Sequence, residues 1–140
     1  MRRLFVAGGA GFIGSNFIRY VMRERPDTYV VNFDALTYAG NLENLADLAD
    51  DARYAFVRGN IAAAAAVNDA MRGCDARVNF AAESHVDRSI EDAADFMETN
   101  LRGAYNVLSA ARDLGVERVL HISTDEVYGP ATQENPRRED

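Results

Sequence analysis

The feature that most narrows the fold lies at the start of the chain. Residues 4–7 form a short apolar run that leads without a spacer into Gly8-Gly9-Ala10-Gly11-Phe12-Ile13-Gly14. The glycines at 8, 11 and 14 stand three apart. A chain that turns sharply and lets other groups approach its backbone closely needs glycine, because a Cβ would block the approach. Residues 12–25 then place Phe12, Ile13, Phe17, Ile18, Val21 and Met22 at helical spacing, and Pro26-Asp27 punctuates the end. A strand, a glycine turn and a helix in immediate succession open a βαβ unit.

The alternation continues. Residues 29–33, 54–58, 77–81 and 118–123 read as further strands. Residues 41–48 read as a short helix, 62–71 as a longer one, and 90–114 as a long one that Gly115 stops. This order predicts an α/β fold, a doubly wound parallel sheet whose strands are covered by helices on both faces. The 140 residues suit one domain or a large part of one. Residues 62–66 are five alanines, either good helix formers on an exposed turn or positions whose side chains were never identified. No function is assigned to them. Residues 131–140 are polar and read as a loop interrupted part-way.

Charge and composition exclude several roles. A net charge of −7 argues against a general binder of nucleic acid or of anionic membranes. It leaves room for phosphates, because the free N–H groups at a helix start bind anions without basic side chains. Cys74 is the single cysteine, so no intrachain disulfide exists, which fits a reducing, cytoplasmic setting. The apolar run after Met1-Arg2-Arg3 is too short for a secretory signal. No run reaches the roughly 18 apolar residues that cross a bilayer. No metal site is expected.

The glycine turn feeding a helix start predicts a dinucleotide site, with the pyrophosphate on the helix N-terminus. Asp34 ends the second strand, twenty residues after Gly14. An acidic side chain there accepts hydrogen bonds from the adenosine ribose hydroxyls. A 2′-phosphate would meet a like charge, and no arginine adjoins Asp34, so NAD is expected rather than NADP. Near the other end, Asp125 and Glu126 adjoin Thr124 where the fifth strand gives out. General acid–base chemistry needs one protonated and one ionised carboxyl, and neighbouring like charges can push two pKa values apart.

Four segments carry a resemblance. Residues 7–14 resemble the T-G-G-x-G-F-I-G signature of extended short-chain dehydrogenases, with Ala7 where threonine is usual. Asp34-Ala35-Leu36-Thr37-Tyr38-Ala39-Gly40-Asn41 is similar to the D-x-L-T-Y-A-G-N segment of the dTDP-glucose dehydratases. Phe80-Ala81-Ala82-Glu83-Ser84-His85-Val86-Asp87-Arg88-Ser89 matches that family's A-A-E-S-H-V-D-x-S, and residues 124–129 match its T-D-E-V-Y-G. Gly59-Asn60-Ile61 departs from the family's G-D-I, where the aspartate binds the adenine amino group. Asn60 could accept that bond through its carbonyl oxygen.

The resemblance implies a Rossmann-type fold, here ending after the fifth strand, that holds NAD. It implies NAD contacts from Gly8, Gly11, Phe12, Ile13, Gly14, Asp34, Leu36, Thr37, Tyr38, Gly40, Asn60, Ile61, Ala81, Ala82 and Ser123. It puts Glu83, Ser84 and His85 near a dTDP-sugar and makes Thr124-Asp125-Glu126 the chemical group. Asp125 would protonate the departing C6 hydroxyl, Glu126 would take the C5 proton, and Thr124 would hydrogen-bond the C4 oxygen. Hydride would be lent to NAD from C4 and returned to C6. Thr99-Asn100 would steady the site. The family's Tyr-x-x-x-Lys pair is absent from these 140 residues, which hold no lysine. That pair and a C-terminal substrate domain are expected beyond Asp140, so the chain alone is expected to be inactive. Residues 90–114 would supply one helix of a homodimer. The alternatives are another nucleotide-sugar epimerase or dehydratase, or an inactive NAD-binding fragment.

Overall fold

The computed structural model describes residues 2–85 and 93–138. Five strands form one parallel sheet: β1 Arg2–Ala7, β2 Thr28–Asp34, β3 Tyr54–Arg58, β4 Ala76–Asn79 and β5 Arg118–His121. Their order is β3-β2-β1-β4-β5. The chain winds outward from β1 to β3, then returns to the other side of β1 for β4. At such a reversal the loops beyond the carboxyl ends of β1 and β4 part and leave a crevice.

Helices cover the sheet because successive strand residues face opposite ways. On one face Phe5, Ala7, Val31 and Phe33 pack with Val67 and Met71 of α2 (Ala64–Met71) and with Val107, Ala110 and Ala111 of α3 (Ala104–Asp113). On the other, Val6 and Val30 pack with Ile18, Val21 and Met22 of α1 (Phe12–Glu24) and with Leu45. No helix among the described residues is long and apolar enough to cross a membrane.

Several sequence expectations are corrected. The segment read as a short helix is a 3-10 turn, Leu42–Leu48, capped by the Asn41 side chain and kinked at Leu45. The helix expected from 62 begins at Ala64, because Asn60 Oδ1 accepts from Ala62 N at 2.8 Å and holds the preceding turn outside it. The long helix runs through Ala94–Phe96, a π-helical stretch Met97–Gly103 and α3. Its first expected residues, 90–92, and residues 86–89 of the adjoining motif lie outside the described residues. Phe12 and Ile13 share the helical spacing of the core residues yet are 81% and 62% exposed, since they sit at the first turn, beyond the sheet's cover. Every residue of β5 is exposed, against the expectation of two covered faces: neither core cluster reaches β5, whereas β3 at the other edge is half-buried.

Candidate functional site

The glycines of the turn after β1 are required for different reasons. Gly8 has a φ of +75°, and a Cβ there would sit 2.5 Å from Ala81 N, so the β1 and β4 loops meet backbone to backbone. A Cβ at Gly14 would fall on Gly8 O, because the first turn of α1 packs onto the turn itself. A Cβ at Gly9 would fall on Asn32 Oδ1. Gly11 differs from all three. Its φ of −75° is ordinary, and a Cβ would meet only Gly8 O at 3.5 Å and Ala39 O at 3.9 Å. The protein itself has room for a side chain at 11, and that room opens into the crevice, which Gly11 lines.

The loop after β2 forms a second wall. The buried Asp34 carboxylate accepts from Ala10 N at 2.9 Å through Oδ2 and from Leu36 N at 2.8 Å through Oδ1. Leu36 thereby takes a φ of +53°, and Gly40 approaches so closely that a Cβ would lie 2.8 Å from Asp34 Oδ1. Ala10 O in turn accepts from Asn41 N and from Asn44 Nδ2, each at 3.0 Å. Asp34 orders its own loop first; a carboxylate has about four acceptor positions, so capacity remains for a ligand. Sheet register pairs Asp34 with Arg58, an arginine that the linear sequence does not place beside it.

The third wall is the loop after β4. Asn79 Oδ1 accepts from Ala81 N at 3.2 Å, and its Nδ2 lies 3.2 Å from His121 Nδ1 on β5. Asn100, on the π-helical stretch, binds both backbone groups of Glu83. Tyr38 Oη donates to Glu83 Oε2 at 3.1 Å, which ties the second wall to the third.

These walls line a partly open cleft of about 110 Å³. Among the sequence-predicted residues, Gly8, Gly11, Asp34, Thr37, Gly40, Asn60, Ile61, Ala81, Ala82 and Glu83 line it, together with Thr99. Gly14, Leu36 and Tyr38 stand outside that lining and act from behind it through the packing and bonds described above. Ser84 and His85 are exposed and outside it, as are Phe12 and Ile13 at the start of α1. Asn60 lines the cleft, with its carbonyl oxygen already engaged by Ala62 N. Ser123 to Glu126 are exposed at the end of β5, and Asp125 and Glu126 line a separate depression with residues 128–133, Pro136 and Arg137. The structure thus gathers most of the predicted cofactor residues in one cleft and leaves the acid pair in another.

Sequence reasoning missed Asn44 and Asn79, whose side chains hold the loops, and Asn32, whose buried side chain binds Tyr54 Oη and lies against Gly9. The available signal was polarity inside strands that read as apolar runs, at 32 and at 79.

Comparison with known proteins bears on this geometry. The profile of the NAD dependent epimerase/dehydratase family matches residues 4–140. The low-salt glycan biosynthesis protein Agl12 of Haloferax volcanii is 52% identical over 90% of this chain and 40% of its own length. The dTDP-glucose 4,6-dehydratase of Mycolicibacterium smegmatis is 48% identical over 97% of this chain and 40% of its own. The crystal structure of DesIV, a dTDP-glucose 4,6-dehydratase from Streptomyces venezuelae solved with NAD bound, superposes with a TM-score of 0.88 at 51% identity. That match covers 94% of this chain and 42% of DesIV. The chain therefore spans about two-fifths of the length of the curated relatives it matches.

Proposed function

The chain belongs to the NAD dependent epimerase/dehydratase family, and on that footing we propose that it is the NAD-binding part of an enzyme that dehydrates dTDP-glucose to its 4-keto-6-deoxy form. The observation that carries the reading is Gly11: the fold demands no glycine there, and the freed space opens into the cleft. A pyrophosphate approaching the start of α1 demands it instead. The buried Asp34 carboxylate, at the end of β2, accepts from the adenosine ribose and disfavours a 2′-phosphate.

NAD, when bound, supplies a hydride acceptor and donor. The chain's own residues would hold and move protons: Asp125 would protonate the leaving C6 hydroxyl, Glu126 would remove the C5 proton and Thr124 would hydrogen-bond the C4 oxygen, while the C4 hydroxyl proton would pass to the tyrosine of the Tyr-x-x-x-Lys pair that the resemblance implies beyond Asp140. Glu83, Ser84 and His85 face the sugar. Residues 1–140 form the cofactor domain, and a substrate-binding domain follows it in the whole enzyme, which works in the cytoplasm and does not bind nucleic acid. Met97, Leu101, Tyr105 and Leu108 form an exposed apolar stripe on one long helix, which supports pairing as a homodimer.

The test is incubation of the whole enzyme with dTDP-glucose and NAD. Formation of the 4-keto-6-deoxy sugar, lost in Asp125→Asn and Glu126→Gln while NAD binding persists, supports the reading. Inversion at C4 alone would sink the acid-pair assignment in favour of an epimerase.

A further inference from the structure

Asn32 sits in the middle of β2, opposite Val6 of β1, with no exposed surface. One arm of its carboxamide is satisfied: Nδ2 donates to Tyr54 Oη at 2.8 Å. The other, Oδ1, is buried and meets no hydrogen-bond partner among the described residues. A buried polar atom left unpaired is destabilising, and an apolar side chain of the same shape would fill this space without that cost. Packing alone does not explain the amide.

The unpaired arm lies against the glycine turn. A Cβ at Gly9 would fall on Oδ1, with Asn32 Cγ at 2.8 Å and Ile18 Cδ1 at 2.6 Å. Exchanging the amide's oxygen and nitrogen changes neither relation, since one arm still meets Tyr54 and the other still faces Gly9. The burial that pushes the Tyr54 hydroxyl's pKa up also keeps that hydroxyl protonated as a fixed anchor.

We propose that Asn32 is a positioning residue for the cofactor turn: anchored by Tyr54, its carboxamide supports Gly9 from beneath and sets the height at which Ala10 and Gly11 meet the ligand. Glycine is then required at 9 by Asn32, with the Ile18 side-chain end beside it, and at 11 by the cofactor, a division that rests on reading the cleft as an NAD site. Ala10 is already held from the side through both its N–H and its carbonyl. Asn32 supplies the remaining support.

The test is a rescue. NAD affinity and Tm are measured for the wild-type protein, Gly9→Ala, Asn32→Ala and the double variant. Gly9→Ala weakens NAD about tenfold or more by lifting the turn, and Asn32→Ala weakens it a few-fold by letting the turn sink. The double variant, with the amide gone and the space refilled, returns to within about threefold of wild type and recovers the Tm lost in Gly9→Ala. Losses that simply multiply in the double variant overturn the proposal, as does an Asn32→Ala protein with lowered Tm and unchanged NAD affinity. If Gly9→Ala does not fold, folding of the double variant supports the contact, and the Asn32→Ala affinity decides the positioning role. A wild-type protein that binds no NAD removes the cofactor reading, while the Tm rescue still scores the contact between Asn32 and Gly9.

Discussion

Asn100 closes two hydrogen bonds on the backbone of Glu83: its Oδ1 accepts from Glu83 N at 2.8 Å and its Nδ2 donates to Glu83 O at 2.7 Å. A side chain on a helix thus does for one residue of a loop what a neighbouring strand does inside a sheet. Only a primary amide offers a donor and an acceptor with this geometry. Asn100→Asp keeps the acceptor and sets a carboxylate against the Glu83 carbonyl. We expect it to lower stability by about 1–2 kcal/mol in urea melts, and Asn100→Ala by about the same. On the proposed reading, in which Glu83 faces the sugar, turnover by the whole enzyme should fall further than NAD affinity. Equal losses in the two would argue that Asn100 serves only the cofactor.

Gly11→Ala separates the fold from the ligand. The position has an ordinary φ and open space, so the alanine chain should keep its Tm or gain slightly. Its NAD affinity should fall about 10–100-fold, or roughly 1.4–2.8 kcal/mol. A titration showing unchanged affinity would move the pyrophosphate away from this turn.

Arg77 is 1% exposed in β4, and its Nε and Nη2 meet no hydrogen-bond partner among the described residues. Burial pushes its pKa down. Replacing a buried guanidinium that carries two such unsatisfied nitrogens by an apolar side chain of similar volume removes that penalty. Arg77→Met should raise the unfolding free energy by about 1–3 kcal/mol. A destabilised variant would mean that the guanidinium has a partner in solution.

Cys74 makes an alkaline prediction. Burial pushes its thiol up to about 11 from an ordinary 9.0. Between those values the unfolded chain releases the proton and the folded chain retains it, so stability falls as pH rises. The contribution is full below pH 9 and lost through pH 11, up to about 2–3 kcal/mol. Urea midpoints measured from pH 8 to 11 should decline, and Cys74→Ala should flatten the decline. The same slope in both proteins would assign it to other groups, of which Tyr54, also raised by burial, is one.

The strand–helix alternation was legible because apolar runs and glycine punctuation are local signals. The cofactor turn was legible for the same reason, and Asp34 followed by counting from it. The rest depends on contacts between segments far apart in the chain. Nothing near Asn32 in sequence reveals Gly9, and nothing near Asp34 reveals Arg58, because sheet pairing creates both relations. Phe12 and Ile13 have core spacing but lie beyond the sheet's reach. Arg77 opens the strand expected over residues 77–81, whereas the observed strand starts at Ala76 and buries it. Asp125 and Glu126 were legible as a pair, whereas their depression, apart from the cofactor cleft, was not.

Ala10 has no functional side chain, yet its N–H and its carbonyl are both held by other residues. A glycine-rich segment would otherwise have much conformational freedom to surrender when a ligand arrives. Here that surrender takes place as the protein folds. A dinucleotide would meet a turn already set in shape, and more of its contact energy would remain as affinity.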